Sequence, residues 1–405
     1  MKDTMFPFGY CTNVHAGPDL ARAQANLQKF AVAVRDIVVP QGILPVGMWL
    51  ADTAVAELQP AGACERFRDW LAEHRLAPYT LNGFPQRDFH GPVVKHAVYE
   101  PSWLTESRQR YSISLAHILH QLLPVDTVGS ISTLPLGWPS AGQWTHQQNQ
   151  IAAANLRGLA RNFAQLYQQH GREIVLALEP EPGCVLDSMD DLVQFFQKYL
   201  LVGDDADLCR RHLTVCHDIC HSAVMFEPQE EVLRTYLDNG IRIGKVQVSS
   251  AIEVPWSNCK AADEVASAAV IWEQLRALHE PRYLHQTTQA DAAGRFSAMV
   301  EDLPVALETR NASTPRTNWR IHFHVPIFVD RFGALVATRD DIRAACQFLE
   351  SHRAARISNR PWFTGHYEVE TYAWPVLPKE LRNDDLASGI ANELMYLKKL
   401  FGELR

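Results

Sequence analysis

Two glutamates, Glu179 and Glu181, stand at the end of the apolar run Ile174-Val175-Leu176-Ala177-Leu178, in the phrase LEPEPG. A strand's side-chain period of two puts them on one face. The run Leu213–His221 ends in His217-Asp218-Ile219-Cys220-His221, with Asp218 and His221 in DxxH spacing. The run Ile241–Ser250 offers Lys245, Gln247 and Ser249 on one face, and His366–Trp374 offers Glu368, Glu370, Tyr372 and Trp374. His322 and His324, in RIHFHVPIF, are again two apart on an extended segment. Each signal alone has a plain reading: a glutamate caps a helix or pairs with an arginine, and a His-x-His packs. Together they need another explanation, because an unpaired buried charge is costly. Mixed carboxylate and imidazole donors suit Zn²⁺, Mn²⁺, Co²⁺ or Fe²⁺ better than an all-oxygen magnesium cage. Such a cation offsets the repulsion among the carboxylates, and it polarises a carbonyl or lowers the pKa of a bound water.

Further polar and aromatic residues fall at neighbouring run ends. Asn82-Gly83-Phe84-Pro85 precedes His90 and Lys95, which are candidates for a substrate oxygen or phosphate. Glu181, His217 and His221 are the expected substrate contacts beside the metal. Trp138, Trp256, Tyr372 and Trp374 are candidates for the apolar walls of a sugar-like ring site.

Eight short apolar runs must position these groups: Phe8–Val14, Leu44–Leu50, Ala77–Phe84, Thr127–Trp138, Ile174–Glu181, Leu213–His221, Ile241–Ser250 and His366–Trp374. Amphipathic stretches separate them, including Leu20–Val38, Ala63–His74, Leu104–Leu122, Gln143–His170, Met189–Leu200, Glu230–Leu237, Asp340–Arg353 and Asp385–Leu400. Their apolar residues recur every three or four positions, as in Leu156, Leu159, Phe163 and Leu166. Eight strand–helix alternations allow a closed barrel or an open doubly wound sheet. An open sheet usually carries a glycine-rich phosphate loop after its first strand, and Thr12-Asn13-Val14-His15-Ala16-Gly17 has no such motif. The pattern therefore predicts a single α/β domain over residues 1–405, a (β/α)8 TIM barrel with its chemistry at the carboxyl ends of the strands. Residues 251–338 are too long for a structureless loop. They are expected to form an insertion in the seventh βα connection, with a helix at Ala261–His279, a polar stretch His285–Phe296 and a strand Arg320–Phe328.

Of the 405 residues, 47% are hydrophobic and 21% charged, enough to bury a large core, and the net charge of −8 argues against nucleic acid as a partner. No apolar stretch reaches the length of a membrane span, and the first residues lack a signal-peptide pattern. A cytoplasmic location is expected. The eight cysteines show no CxxC pair and read as buried free thiols.

The strand-5 Glu, strand-6 DxxH and strand-8 Glu together resemble the xylose isomerase-like superfamily of sugar isomerases, ketose 3-epimerases, inosose dehydratases and endonuclease IV. That resemblance implies one divalent ion held by Glu179, Asp218 and Glu370, with His221 as a substrate contact or extra ligand. Gln247 stands where many relatives have His, so His322 or His324 is the expected replacement. Several phrases, among them YCTNVHAG, NGFPQRDFHGPVVKHAVYEPSW, CHDICH and ETYAWPVLP, are similar to the EboE family of metabolite-traffic proteins from the ebo gene cluster. The similarity runs from residue 10 to residue 378. It implies a role in making or moving a secondary-metabolite precursor and a functional link to other ebo-cluster proteins. Three activities follow as expectations. The first is a metal-dependent isomerase or epimerase on a small polyhydroxylated or carbonyl metabolite, with Glu179 and Glu370 as the acid–base pair. The second is a non-catalytic metabolite carrier, and the third a metal-dependent phosphodiesterase.

Overall fold

The computed structural model describes residues 4–124, 127–139, 144–256, 264–309, 317–378, 381 and 385–404. Eight parallel strands close into a barrel: β1 (Gly9–Cys11), β2 (Leu44–Trp49), β3 (Leu76–Asn82), β4 (Val128–Thr133), β5 (Glu173–Leu178), β6 (Leu213–Asp218), β7 (Ile243–Val248) and, last in the chain, β16 (Tyr367–Val369). β16 pairs with both β7 and β1, which completes the ring. Helices cover the outside, so strands such as β5, β6 and β7 are buried along their whole length. Their continuous apolar outer faces made them legible in the sequence.

The covering helices start where a side chain can satisfy their first amides. Asp19, Thr105, Ser188 and Asp385 all accept from the backbone one turn on. Thr145 and Gln148 form a reciprocal capping box for the helix His146–His170. The expected helix Leu20–Val38 runs through, with one π turn at Leu27–Ala31. Gln143 and Ala261, the expected starts of two helices, lie outside the described residues.

Between β7 and the helix Arg339–Ser351 the chain builds a second, antiparallel sheet. Its strands are β8 (Ile252–Val254), β9 (Thr287–Ala290), β10 (Phe296–Val300), β11 (Trp319–Ile321), β12 (Arg331–Phe332) and β13 (Leu335–Ala337), in the order β10-β9-β11-β8-β13-β12. A hairpin, β14 (Arg356–Ile357) with β15 (Arg360–Pro361), precedes the last barrel strand. Backbone bonds from Val325 to Ser250 and from Thr338 to Ala251 tie the second sheet to the end of β7.

Three expected elements differ. The polar stretch His285–Phe296 supplies β9, because its threonines Thr287 and Thr288 pair with β11. The strand expected over Arg320–Phe328 stops at Ile321, where Phe323 N–H donates to the Ile321 carbonyl and turns the chain tightly at His322. The eighth barrel strand stops at Val369, so alternation does not carry Tyr372 and Trp374 onto the face of Glu370. Among the described residues, no helix is long and apolar enough to cross a membrane. All seven described cysteines are free and buried.

Candidate metal centre

The carboxyl ends of β5, β6 and β16 bring Glu179, Asp218 and Glu370 together. One oxygen from each lies within 4.8 Å of the others, and the three residues are 4%, 2% and 5% exposed. Asp218 closes β6 and caps the helix that follows. Its Oδ1 accepts from Ser249 Oγ at 2.6 Å and from His221 N–H at 3.1 Å, which leaves Oδ2 buried and without a partner. Glu370 Oε1 accepts from Asn13 Nδ2 at 2.8 Å and from the Cys11 thiol at 3.4 Å. Both come from the end of β1, a contribution that the short polar phrase CTN did not advertise.

Burial pushes the Glu179 carboxyl well above the usual range, and the neighbouring Glu370 and Asp218 carboxylates push it further. Glu370 is raised to about 8, first by burial and then by Asp218 and Glu368. Burial also works against Asp218, but His221, His324 and the Ser249 bond outweigh it and bring its pKa down. Three carboxylates this close cannot all be charged without a compensating cation.

The donor set fits one. His324 Nδ1 lies 2.9 Å from the Glu370 carbonyl, which can only accept, so Nδ1 carries the proton. The other nitrogen, Nε2, is then a bare lone pair, buried and without a hydrogen-bond partner. Asp218 Oδ2 and Gln247 Oε1 are orphaned in the same way. Orphaned buried atoms are rare in native proteins, and a bound water or ion is a common partner for them. Gln247 gives its amide hydrogens to Asn82 Oδ1 at 3.1 Å, which fixes its oxygen as the free end.

Below these groups the barrel is plugged by a buried pair, Lys245 Nζ to Glu368 Oε2 at 2.5 Å, with Asn82 Oδ1 2.7 Å from the ammonium. A Cβ on Gly47 would fall 1.3 Å from Glu368 Oε1, so that strand position admits only glycine. Glu368 is therefore part of the floor. Above lies a cavity. Its polar end holds Glu179, Glu181, His221, His322, His324 and Glu370, and its walls are Phe84, Phe89, Val98, Tyr99, Tyr283 and Tyr372.

The remaining expected site residues divide by which way their backbone turns them. Glu181, His221 and His322 line the cavity, as does Lys95, whose ammonium is ion-paired to Asp302 of the insertion. Trp138 packs on Tyr99 with ring centroids 5.0 Å apart, one layer behind the wall. It also covers Gly183 of LEPEPG, where φ is +83° and a Cβ would meet the indole at 2.6 Å. Four residues stand elsewhere. His217 alternates outward from Asp218 and donates to Gln229 Oε1 at 2.8 Å. His90 donates to the Asn13 carbonyl at 2.8 Å, so it braces the loop that holds Glu370. Trp256 sits in the insertion's core against Trp272 and Trp319. Trp374 gives its indole N–H to Glu393 on the C-terminal helix, at 2.9 Å. Among the cavity residues that the sequence did not single out are Tyr99 and Tyr283, which come from connections with no periodic pattern to place them.

No protein-family model and no curated sequence matches the chain. Solved structures do. A xylose isomerase-like TIM barrel protein from Mycobacterium smegmatis in complex with magnesium aligns over 98% of this chain and 97% of its own, at 12% identity and a TM-score of 0.50. An L-ribulose 3-epimerase aligns over 68% and 79% of the two chains at 15% identity and a TM-score of 0.39. A D-tagatose 3-epimerase-like protein aligns over 61% and 75% at 12% identity and a TM-score of 0.38. At these identities a likeness speaks of architecture alone, and the eight-stranded closure agrees with it: this chain has the xylose isomerase-like TIM-barrel fold.

Proposed function

We propose that this chain is a metal-dependent isomerase or epimerase acting on a small polyhydroxylated or carbonyl metabolite. The observation that carries the reading is the convergence of Glu179, Asp218 and Glu370 on a common point, beside an unpartnered His324 Nε2. Those four residues would hold the ion, and Gln247 Oε1 is a further free donor. The Mycobacterium smegmatis protein of the same fold was solved with magnesium. Here the imidazole shifts the preference toward Mn²⁺, Zn²⁺, Co²⁺ or Fe²⁺. When bound, the cation would neutralise the carboxylates and polarise two neighbouring substrate oxygens.

The protein's own groups then divide the work. One of Glu179 and Glu370 takes the proton from the carbon beside a carbonyl, and the other returns a proton to that carbon or its neighbour. Burial and the neighbouring carboxylates raise the Glu370 pKa to about 8 in the metal-free site, and a bound cation would hold the carboxylate charged. Tyr99, Tyr283 and Tyr372 with the phenylalanines exclude water from the reacting carbon. They also suit a substrate whose far side is hydrocarbon or aromatic. This reading takes residues 1–405 as one domain with residues 251–338 covering the mouth. It places the protein in the cytoplasm among EboE-like metabolite-traffic proteins, handling a secondary-metabolite precursor alongside other ebo-cluster proteins.

Glu370→Gln tests it. The variant should keep the wild-type circular dichroism spectrum yet lose more than about a hundredfold in solvent-deuterium wash-in across a panel of ketoses and aryl ketones. Undiminished exchange would remove Glu370 from the chemistry. Gln247, a neutral donor at the strand-7 position, favours a second reading, a carrier that binds and releases its metabolite unchanged. A ligand that binds tightly while no member of the panel exchanges deuterium would select the carrier.

A further inference from the structure

We propose that Glu393, on the C-terminal helix Leu386–Glu403 and outside the cavity, is a positioning residue that sets Glu370 and His324 against each other. It sits in the helix's buried stripe with Ile390, Leu394 and Leu397, where the helical period calls for an apolar side chain, and it is 1% exposed. A carboxylate there is costly unless its oxygens are met by donors. Three neutral donors meet it. Oε1 accepts from Thr371 Oγ1 at 2.6 Å and from the Ile327 N–H at 3.1 Å, and Oε2 accepts from the Trp374 indole N–H at 2.9 Å. Apolar groups of the same shape often replace such a buried hydrogen-bonded set with little loss of stability. What they cannot replace is a fixed link between the segments that the carboxylate joins.

Those segments carry two of the site's donors past the ends of their strands. Glu370 stands one residue beyond β16, and Thr371 follows it. His324 stands three residues beyond β11, in a stretch with no strand of its own, and Ile327 comes three later. The two segments touch through His324 Nδ1 and the Glu370 carbonyl at 2.9 Å. Each is also tied near the end of β7, by Glu370 N–H to the Val248 carbonyl at 3.1 Å and Val325 N–H to the Ser250 carbonyl at 3.0 Å. A backbone bond of this kind fixes a point on each segment, not its direction. Glu393 Oε1, shared by both segments, supplies the second point. It thereby sets how far the Glu370 carboxylate lies from His324 Nε2.

Any consequence for cation affinity rests on the metal site proposed above. The positioning itself does not, and the two are read separately.

Hydrogen–deuterium exchange of the metal-free full chain, followed by titration with Co²⁺ against a chelating dye, tests the proposal. Glu393→Gln keeps the side chain's shape but can accept at only one end. It should speed amide exchange about tenfold in residues 322–328 and 368–375 and leave β4 unchanged. It should also weaken Co²⁺ binding by about 10–100-fold. Thr371→Val cuts only the bond beside Glu370, so it should speed exchange in 368–375 and spare 322–328. That variant decides the matter if Glu393→Gln fails to fold. Unchanged exchange in these segments would overturn the proposal. An equal rise across the whole barrel would overturn it too, since that is lost stability without positioning. So would faster local exchange with Co²⁺ affinity intact. A wild type that binds no Co²⁺, with exchange responding as expected, would support the positioning role and count against the metal site instead.

Discussion

Asn13 shows how much of this site depends on side chains that would never touch an ion. Its amide holds Glu370 Oε1 at 2.8 Å, and its own carbonyl is held by His90. Partners of ligands typically change metal affinity by about 10–100-fold when removed. Asn13→Ala should weaken cation binding by that factor with little effect on thermal stability, as read by competition with a chelating dye. Unchanged affinity would show that Glu370 needs no brace. At this scale the sequence spoke clearly for Glu179, Asp218 and Glu370. Each stands at or just past the end of a buried barrel strand, so its rim is set by chain direction alone. It misled for His217 and Trp374. One residue of alternation turns His217 outward, and the early end of the eighth strand sends Trp374 to Glu393. Neither event leaves a mark in residue type.

The barrel strands carry a second dependence, the Lys245–Glu368 pair that joins β7 to β16 under the site, both side chains 0% exposed. Removing one partner of a buried pair strands the other charge, at a cost of about 3–5 kcal/mol. Lys245→Met should therefore lower the urea unfolding free energy by that amount, and Lys245→Met with Glu368→Leu should recover much of it. Equal losses in the single and double variants would contradict the pairing. Gly47→Ala should destabilise in the same assay, since its methyl would displace Glu368. The barrel strands were legible because the faces they pack under the helices are apolar, as with Val246 and Val248 of β7. The second sheet was not. Its strands are two to five residues long, too short to show a period, and apart from the strand-like Arg320–Phe328 only the length of the connection betrayed it.

Across the whole molecule several histidines are neutral by burial, which ties stability to pH. Burial brings His15 and His366 to about 3 and His212 to about 4. A histidine depressed in the folded state stabilises above its unfolded pKa of about 6.5, and that contribution is lost as pH falls toward the folded value. Each such group adds a slope of roughly 1 kcal/mol per pH unit below pH 6. The urea midpoint should fall steadily from pH 6.5 to 4.5, less steeply in His366→Asn. A flat wild-type profile would show that these rings reach water.

Whether the ends of β5, β6 and β16 grip a common ion is decided by elemental analysis of protein purified gently without added metal. Wild type should carry at least one equivalent of Mn, Zn, Co or Fe, and a folded Glu179→Gln/Glu370→Gln variant one equivalent fewer. Equal metal content in the two proteins, or none in wild type even after incubation with each ion, would contradict it.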